Sequence, residues 1–368
     1  MSLFNLRRLS PKEEFPNLDQ NYTCMAKVLT LDMYTRQFNR ATESGVIFDD
    51  IIRPGLEDPG EISGPMSVGC LAGDAQSYIL FCEFFDRVID AYHGHKLSNS
   101  QQSDFNYENL KGGDDLDRTY VLSCEVAVRR SVEGFSFPTH CSRAERRQLL
   151  TLAKKAFSLG SEDLPGNMYA LDKRMQGDEG VGGCPKVDAP SDLMMRTGVA
   201  RDWPDSRAVW VSKDSSLTVW INFDDHLQMV SKRTDSNIKE AFECVIINIL
   251  KLEALYRKLR CWFVWKEQLG WVVSSPADVG TGLRASVWIK LQRLSQHKRM
   301  KSILERLRLR MDSTESTGVY KVYNPHTIGF SEVELLQLLV DGVKLLTVME
   351  KRLEQPGGSI DDLVPAQK

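Results

Sequence analysis

A chain of 368 residues with 42% hydrophobic content can bury a large core, and its length points to two domains or one large domain with an appendage. The formal net charge of −3 is spread rather than blocked, which argues against a nucleic-acid face and against a polybasic membrane tether. No apolar run reaches the length of a bilayer span, and Met1 to Pro16 lacks the apolar core of a secretory leader. Eight cysteines form no C-x-x-C pair and do not cluster with the six histidines at ligand-like spacing, so reduced thiols, a cytoplasmic location and no metal site are expected.

In chain order, residues 1–24 read as a tail. Ala26–Ala41 and Ala75–Tyr92 carry apolar residues at three- and four-residue spacing and predict helices, with Pro59-Gly60-Glu61-Ile62-Ser63-Gly64-Pro65 as a loop between them. The polar stretch Leu97–Asn106 leads into the turn signal Gly112-Gly113-Asp114-Asp115. The expected division is a helical domain at 25–100, a linker and start of a second domain at 101–118, and a larger domain at 119–368. In that larger part Tyr120–Val128, Ala208–Val211, Leu217–Phe223, Trp271–Ser274 and Ala285–Leu291 are rich in β-branched and aromatic residues and predict strands. Ser142–Ser158, Ile238–Arg260 and Ser331–Glu354 predict amphipathic helices. The last opens on a capping box, Ser331 with Glu334, and stops at Pro356-Gly357-Gly358. Gly177–Gly183 predicts a mobile loop. Strands and helices do not strictly alternate, which favours an α+β fold with an antiparallel sheet.

The segment Ser275-Pro276-Ala277-Asp278-Val279-Gly280-Thr281-Gly282-Leu283-Arg284 carries a Gly-Thr-Gly turn, where missing Cβ atoms let backbone N–H groups approach a ligand, and an arginine just beyond it. It occurs with Asn109-Leu110-Lys111-Gly112-Gly113-Asp114-Asp115-Leu116-Asp117, His140-Cys141-Ser142-Arg143, Ala200-Arg201-Asp202-Trp203-Pro204-Asp205, Asp341-Gly342-Val343-Lys344 and Val364-Pro365-Ala366-Gln367-Lys368. With these blocks in order the chain resembles the phosphagen (guanidino) kinases, most of all cytosolic muscle-type creatine kinase. The resemblance implies a small helical N-terminal domain followed by an eight-stranded antiparallel sheet flanked by helices. It also implies a reaction that moves the γ-phosphoryl of MgATP onto a guanidine nitrogen. Such a site needs several cations for the phosphates and a carboxylate for the guanidinium.

Set against that family's motifs, the chemistry is altered at many positions. The family reads Ser-Ser-Arg-Val-Arg where this chain has Ser123-Cys124-Glu125-Val126-Ala127. Ser123 is retained, and Glu125 and Ala127 replace two phosphate-facing arginines, each contact being worth roughly 1.5–3 kcal/mol. Phe223 stands for one glutamate, and Asp224 for the glutamate that serves as the catalytic carboxylate. Gln228 replaces a third arginine, and Val211 and Trp288 replace two histidines beside the nucleotide. Trp288 could fill part of the nucleotide cleft. The closing loop is shortened to Met311–Thr317 with Asp312 near its arginine's place, and Thr327 falls where a further arginine would be. In the family's Cys-Pro-Ser-Asn-Leu-Gly-Thr-Gly-Leu-Arg, the cysteine has become Ser275. Val68 resumes the match after an altered guanidino-specificity loop.

Plainer readings stay open for several of these residues: Glu125 as half of a structural salt bridge, Asp224 and Asp225 as a solvated strand end, and Arg284 as a hydrogen-bonding residue inside the sheet. Arg284 is the phosphate-facing arginine that survives. Arg147, Asp202 and Trp203 match a cluster at the dimer interface of cytosolic creatine kinases, although Trp203 could equally be core. The expectation is therefore a pseudokinase acting as a binding or scaffold dimer, with itself or with an active creatine kinase chain. MgATP or MgADP would bind only if the nucleotide site is competent. The alternative is an active ATP:guanidino phosphotransferase using Asp224 and Arg284.

Overall fold

Short side-chain caps set the N-terminal helices. Thr23 and Thr30 each accept a backbone N–H of the first turn that follows, from Ala26 and Met33. The stretch expected as one helix over Ala26–Ala41 is thus two, α2 (Cys24–Val28) and α3 (Leu31–Gln37), after a short α1 (Pro11–Glu14). Next comes α4 (Phe48–Glu57). The second expected helix divides at the fully buried Phe81, whose backbone is not helical, into α5 (Ala75–Leu80) and α6 (Cys82–His93). The computed structural model describes residues 9–62, 64–97, 99–171 and 185–366; the loop expected at Gly177–Gly183 lies outside them.

The larger part runs β1 (Val121–Arg130), α7 (Arg143–Leu159), β2 (Gly166–Ala170), α8 (Asp192–Arg196), β3 (Ala208–Ser212), β4 (Thr218–Ile221) and β5 (Leu227–Arg233). It continues with α9 (Ile238–Lys258), β6 (Trp265–Lys266), β7 (Gly270–Trp271), β8 (Leu283–Lys290), α10 (Met300–Leu307), β9 (Arg310–Ser313), β10 (Val319–Tyr323) and α11 (Glu332–Glu354). Eight of these strands form one antiparallel sheet in the order β2-β3-β4-β5-β1-β8-β10-β9, with β6 and β7 as a separate pair. The α+β expectation holds, with a small helical N-terminal part beside a large antiparallel sheet. Helix α11 opens on the capping box read from the sequence. No helix among the described residues is long and apolar enough to cross a membrane.

The expected strand Trp271–Ser274 is a correction: only its first residue pairs, in β7. Beyond it the backbone is claimed by other groups. The Ser274 N–H donates to Asp225 Oδ1 at 2.9 Å and its carbonyl accepts the Ala72 N–H at 2.8 Å. This departure from the sheet carries the 275–284 segment between the two parts. Tyr78 donates to the Val273 carbonyl, and Val272, Val273, Val279 and Ile328 share one apolar core with the N-terminal helices.

Alternation along β1 separates two faces. Cys124, Val126 and Val128 are buried in the main core with residues of α9 and α11. Ser123, Glu125, Ala127 and Arg129 point the other way, in register with Trp288, Ser286 and Arg284 on β8 and, from Glu125 onward, with Lys232, Val230 and Gln228 on β5. The candidate site lies on this second face.

Candidate functional site

The β4–β5 connection is a tight reversal. Asn222 takes a positive φ of 62°, and its N–H donates to the His226 carbonyl at 3.0 Å. The turn throws Asp224 and Asp225 toward the sheet centre. Arg129, on the next strand, reaches both: its guanidinium lies 3.4 Å from Asp224 Oδ2 and 3.1 Å from Asp225 Oδ2, with Nε 3.9 Å from Asp278 Oδ2. Three carboxylates from two different loops therefore converge on one guanidinium. Sequence reading did not single out Arg129. The signal was present, because the alternation that groups Glu125 with Ala127 continues to residue 129.

Arg284 is committed in the same network. Its Nε donates to Asp278 Oδ1 at 2.7 Å, Nη1 donates to the carbonyls of Asn324 and Pro325 at 2.7 and 2.8 Å, and Nη2 donates to the Ala277 carbonyl at 2.7 Å. Asp278 stands where the family motif has asparagine, so this arginine has gained an ionic partner inside its own chain. Burial drives the Asp278 carboxyl up, but Arg284 and Arg129 outweigh it and hold its pKa below the ordinary value. Burial dominates at Asp225 instead, and although Arg129 opposes it, the carboxyl is pushed up to about 6. Burial would lower the pKa of Arg129, yet the Asp278, Asp225 and Asp224 charges leave it above the usual arginine value.

The turn expected to present N–H groups to a ligand commits five of its N–H groups internally. The Ala277 N–H donates to Ser275 Oγ, Asp278 to the Ser275 carbonyl, Gly280 to Trp271, Thr281 to Thr327 and Leu283 to Thr281 Oγ1. The glycines are required by close backbone approach. A Cβ on Gly280 would stand 2.3 Å from the Thr327 carbonyl, and one on Gly282 would stand 2.7 Å from the Arg129 carbonyl. Thr327 is fully buried and donates from Oγ1 to the Ala277 and Val279 carbonyls, stapling the same turn from below.

The other substituted positions lie along this face. Glu125 makes no ion pair within 4.0 Å to any described residue; it stands opposite Lys232 in register. The Trp288 ring has Lys232 at 5.2 Å and Lys321 at 5.1 Å, and Lys321 is in register with Asp312. Lys232 and Lys321 thus each have a carboxylate opposite across a strand pair, Glu125 and Asp312. Over the face and its loop edge, five carboxylates (Glu125, Asp224, Asp225, Asp278, Asp312) lie among six cations (Arg129, Lys232, Arg284, Lys290, Arg310, Lys321), of which Arg129 and Arg284 are ion-paired to aspartates. Toward β3 the face turns apolar. Val211 is buried with Leu171, Val187 and Val209, next to Trp220, Phe223 and Trp203. Gln228 lies opposite Arg129 and Trp220.

A cavity of ≈ 250 Å³ opens beside the carboxylates and is lined by Arg129, Asp224, Ser275 and Asp278, with Leu71 and Leu193 on its apolar side. Asp224 is the open member of the three, its side chain 48% exposed against 0% for Asp225 and 12% for Asp278. Among the described residues no group of histidine, cysteine, aspartate or glutamate side chains is arranged to hold a metal ion. Val68 lies apart from these groups, with its carbonyl accepting the Met25 N–H and its side chain against the N-terminal core. Arg147 is an exposed residue of α7, 3.2 Å from Asp205, while Asp202 pairs with the buried Arg146 at 3.1 Å. Trp203 is half-buried beneath Arg207 and edge-on to Phe223.

Two family models match the chain: the ATP:guanido phosphotransferase N-terminal domain over residues 19–90, and the ATP:guanido phosphotransferase C-terminal catalytic domain over residues 150–353. The chain is 43% identical to the creatine kinase testis isozyme of Oncorhynchus mykiss over 100% of its own length and 98% of that protein. It is 42% identical to the M-type creatine kinase of Homo sapiens over 97% of its own length and 96% of that protein. The crystal structure of a lombricine kinase superposes with a TM-score of 0.85 at 32% identity, covering 98% of this chain and all of that one.

Proposed function

Since the chain belongs to the ATP:guanido phosphotransferase family, with creatine kinases among its relatives, we propose that it is a member that has given up efficient phosphoryl transfer and acts as a binding or scaffold protein. The observation that carries this reading is the internal ion pairing of the two arginines at the former catalytic centre, Arg129 and Arg284. Phosphoryl transfer depends on an excess of cations preorganised around the transferring group. Here Arg129 and Arg284 are both held by the chain's own aspartates, and Lys232 and Lys321 lie opposite Glu125 and Asp312. At the carboxylate loops a triphosphate would have to displace internal ion pairs, because Arg129 and Arg284 are already held. Ser275 adds to the reading, because a neutral hydroxyl that already caps its own turn offers no thiolate to a guanidinium.

The active-enzyme reading keeps one specific support: Asp224 is half-exposed and borders the cavity, where a carboxylate would have to meet a guanidine. It is the weaker reading, since Arg129 already sits against that carboxylate. A dimer through the Arg147, Asp202 and Trp203 region, with a second copy or an active creatine kinase chain, and a cytoplasmic location belong to the same proposal. A coupled creatine kinase assay with calorimetric titration of MgADP tests it. The proposal expects no creatine-dependent turnover; turnover would overturn it, and tight MgADP binding without turnover would recast the protein as a nucleotide sensor.

A further inference from the structure

We infer that Arg129 is a built-in occupant of a guanidinium site: its side chain fills the cage formed by Asp224, Asp225 and Asp278, and it bars guanidinium-bearing small molecules from the cavity that Asp224 and Asp278 border. The inference rests on the reading proposed above and goes further by naming what blocks the site and what it would hold.

Three features of the cage carry it. The group it holds is a guanidinium, so its selectivity is displayed by its own contents. Both Nη atoms lie within 3.4 Å of carboxylate oxygens, and Nε, buried and without a hydrogen-bond partner, is turned to Asp278 Oδ2 at 3.9 Å. Two of the three carboxylates are fixed independently of Arg129. Asp225 is anchored by the Ser274 N–H and Asp278 by Arg284, so removing the Arg129 side chain would leave the cage largely assembled. Space is already present, because the ≈ 250 Å³ cavity continues from Asp224 past Ser275 to an apolar wall. A small molecule with a guanidinium head and a short apolar or polar tail matches that shape.

The electrostatics favour the exchange. With Arg129 gone, Asp278 keeps Arg284, while Asp224 and Asp225 lose their cationic partner at a half-buried site where screening is weak. Occupancy by the internal arginine costs no translational freedom, since the β1 backbone delivers it. Its N–H is fixed to the Gly282 carbonyl at 2.9 Å. A free ligand at millimolar concentration cannot compete with such a tethered group.

The test is a nucleotide-free thermal-shift and calorimetric titration with low-millimolar methylguanidinium chloride, with sodium and tetramethylammonium chlorides as controls at equal ionic strength. The proteins are the full-length chain, Arg129→Ala and Arg129→Lys. The expected result is saturable, methylguanidinium-specific stabilisation of Arg129→Ala, at least about tenfold tighter than any response of the unaltered chain, with Arg129→Lys remaining blocked. At ten times the dissociation constant the folded-to-unfolded ratio should rise about elevenfold. A response of Arg129→Ala indistinguishable from the controls, or an equal response of the unaltered chain, overturns the inference. If Arg129→Ala does not fold, Arg129→Ala with Asp225→Asn, which keeps the Asp278–Arg284 pair and both carboxylates that border the cavity, is titrated in its place. Should that also misfold, refolding yield with and without methylguanidinium decides, restored yield supporting the site and unrestored yield refuting it. No nucleotide enters these measurements, so creatine turnover by the unaltered chain would defeat the proposed function independently of their outcome.

Discussion

Asp278→Asn and Asp278→Ala together measure how firmly the surviving family arginine is committed inside the fold. Asp278 is 12% exposed at its side chain and Arg284 21%, and they meet at 2.7 Å. Asparagine keeps an acceptor for Arg284 Nε but loses the charge, and it also weakens the hold on Arg129. The difference between a charge-assisted and an ordinary hydrogen bond, with a second pair loosened, amounts to about 1–3 kcal/mol. Alanine removes the partner outright and leaves a buried guanidinium with carbonyl contacts only, for which about 3–5 kcal/mol is expected. Urea unfolding with linear extrapolation reads both, provided the slope m is unchanged. The signs at the two ends of the experiment differ, because each variant also removes a negative charge from the face. Tripolyphosphate affinity should therefore rise in Asp278→Asn relative to the unaltered chain. A cost below about 1 kcal/mol for Asp278→Ala, with no gain in anion affinity, would mean that Arg284 is not held by this carboxylate, and the reasoning would fail.

Asp225 offers a pH test. Its folded-state pKa of about 6 lies above the ordinary carboxylate value, so the folded chain keeps a proton that the unfolded chain has lost. This group's contribution to stability is full below about pH 4 and disappears as pH rises through about 6. Asp225→Asn should consequently gain stability relative to the unaltered chain as pH rises from 4.5 to 6.5, measured by urea unfolding at each pH; a trend of the opposite sign would contradict the assignment. Asp278, held below its ordinary value, should behave in the reverse sense, with stability present at neutral pH and lost on acidification. Thr327→Val deletes the hydroxyl that staples the Ala277 and Val279 carbonyls and should cost about 1–3 kcal/mol while speeding proteolysis of the 275–284 segment. In size-exclusion chromatography the chain should elute as a dimer, with Arg147→Glu shifted toward monomer; a monomer at micromolar concentration for the unaltered chain would remove the proposed interface.

Much of the fold was legible because its signals are local. The Ser331 and Glu334 capping box marks the start of α11, and β-branched runs mark β1, β3 and β8. Strand β5 was not, since Asp224-Asp225-His226 reads as a strand end. Only the positive φ of Asn222 turns that sequence into a reversal with a strand beyond it. Strands β9 and β10 are short and polar, and their register comes from pairing with β8 rather than from their own pattern. At the site, the substituted positions could be read one at a time, but their partners could not. Arg129 meets Asp224 and Asp225 across a β-strand pair, and Asp278 meets Arg284 across a glycine turn. Neither contact follows from sequence spacing. That is why the face looked merely depleted of cations when Arg129 and Arg284 are internally neutralised.

The most direct measurement is a coupled assay of the purified full-length chain with MgATP and creatine, in both directions and across pH 6–9. A creatine kinase of the same family serves as the positive control. No creatine-dependent turnover above background is expected, because Arg129 and Arg284, the arginines at the carboxylate loops, are both held by internal aspartates. Sustained, creatine-dependent formation of MgADP by the unaltered chain would contradict it.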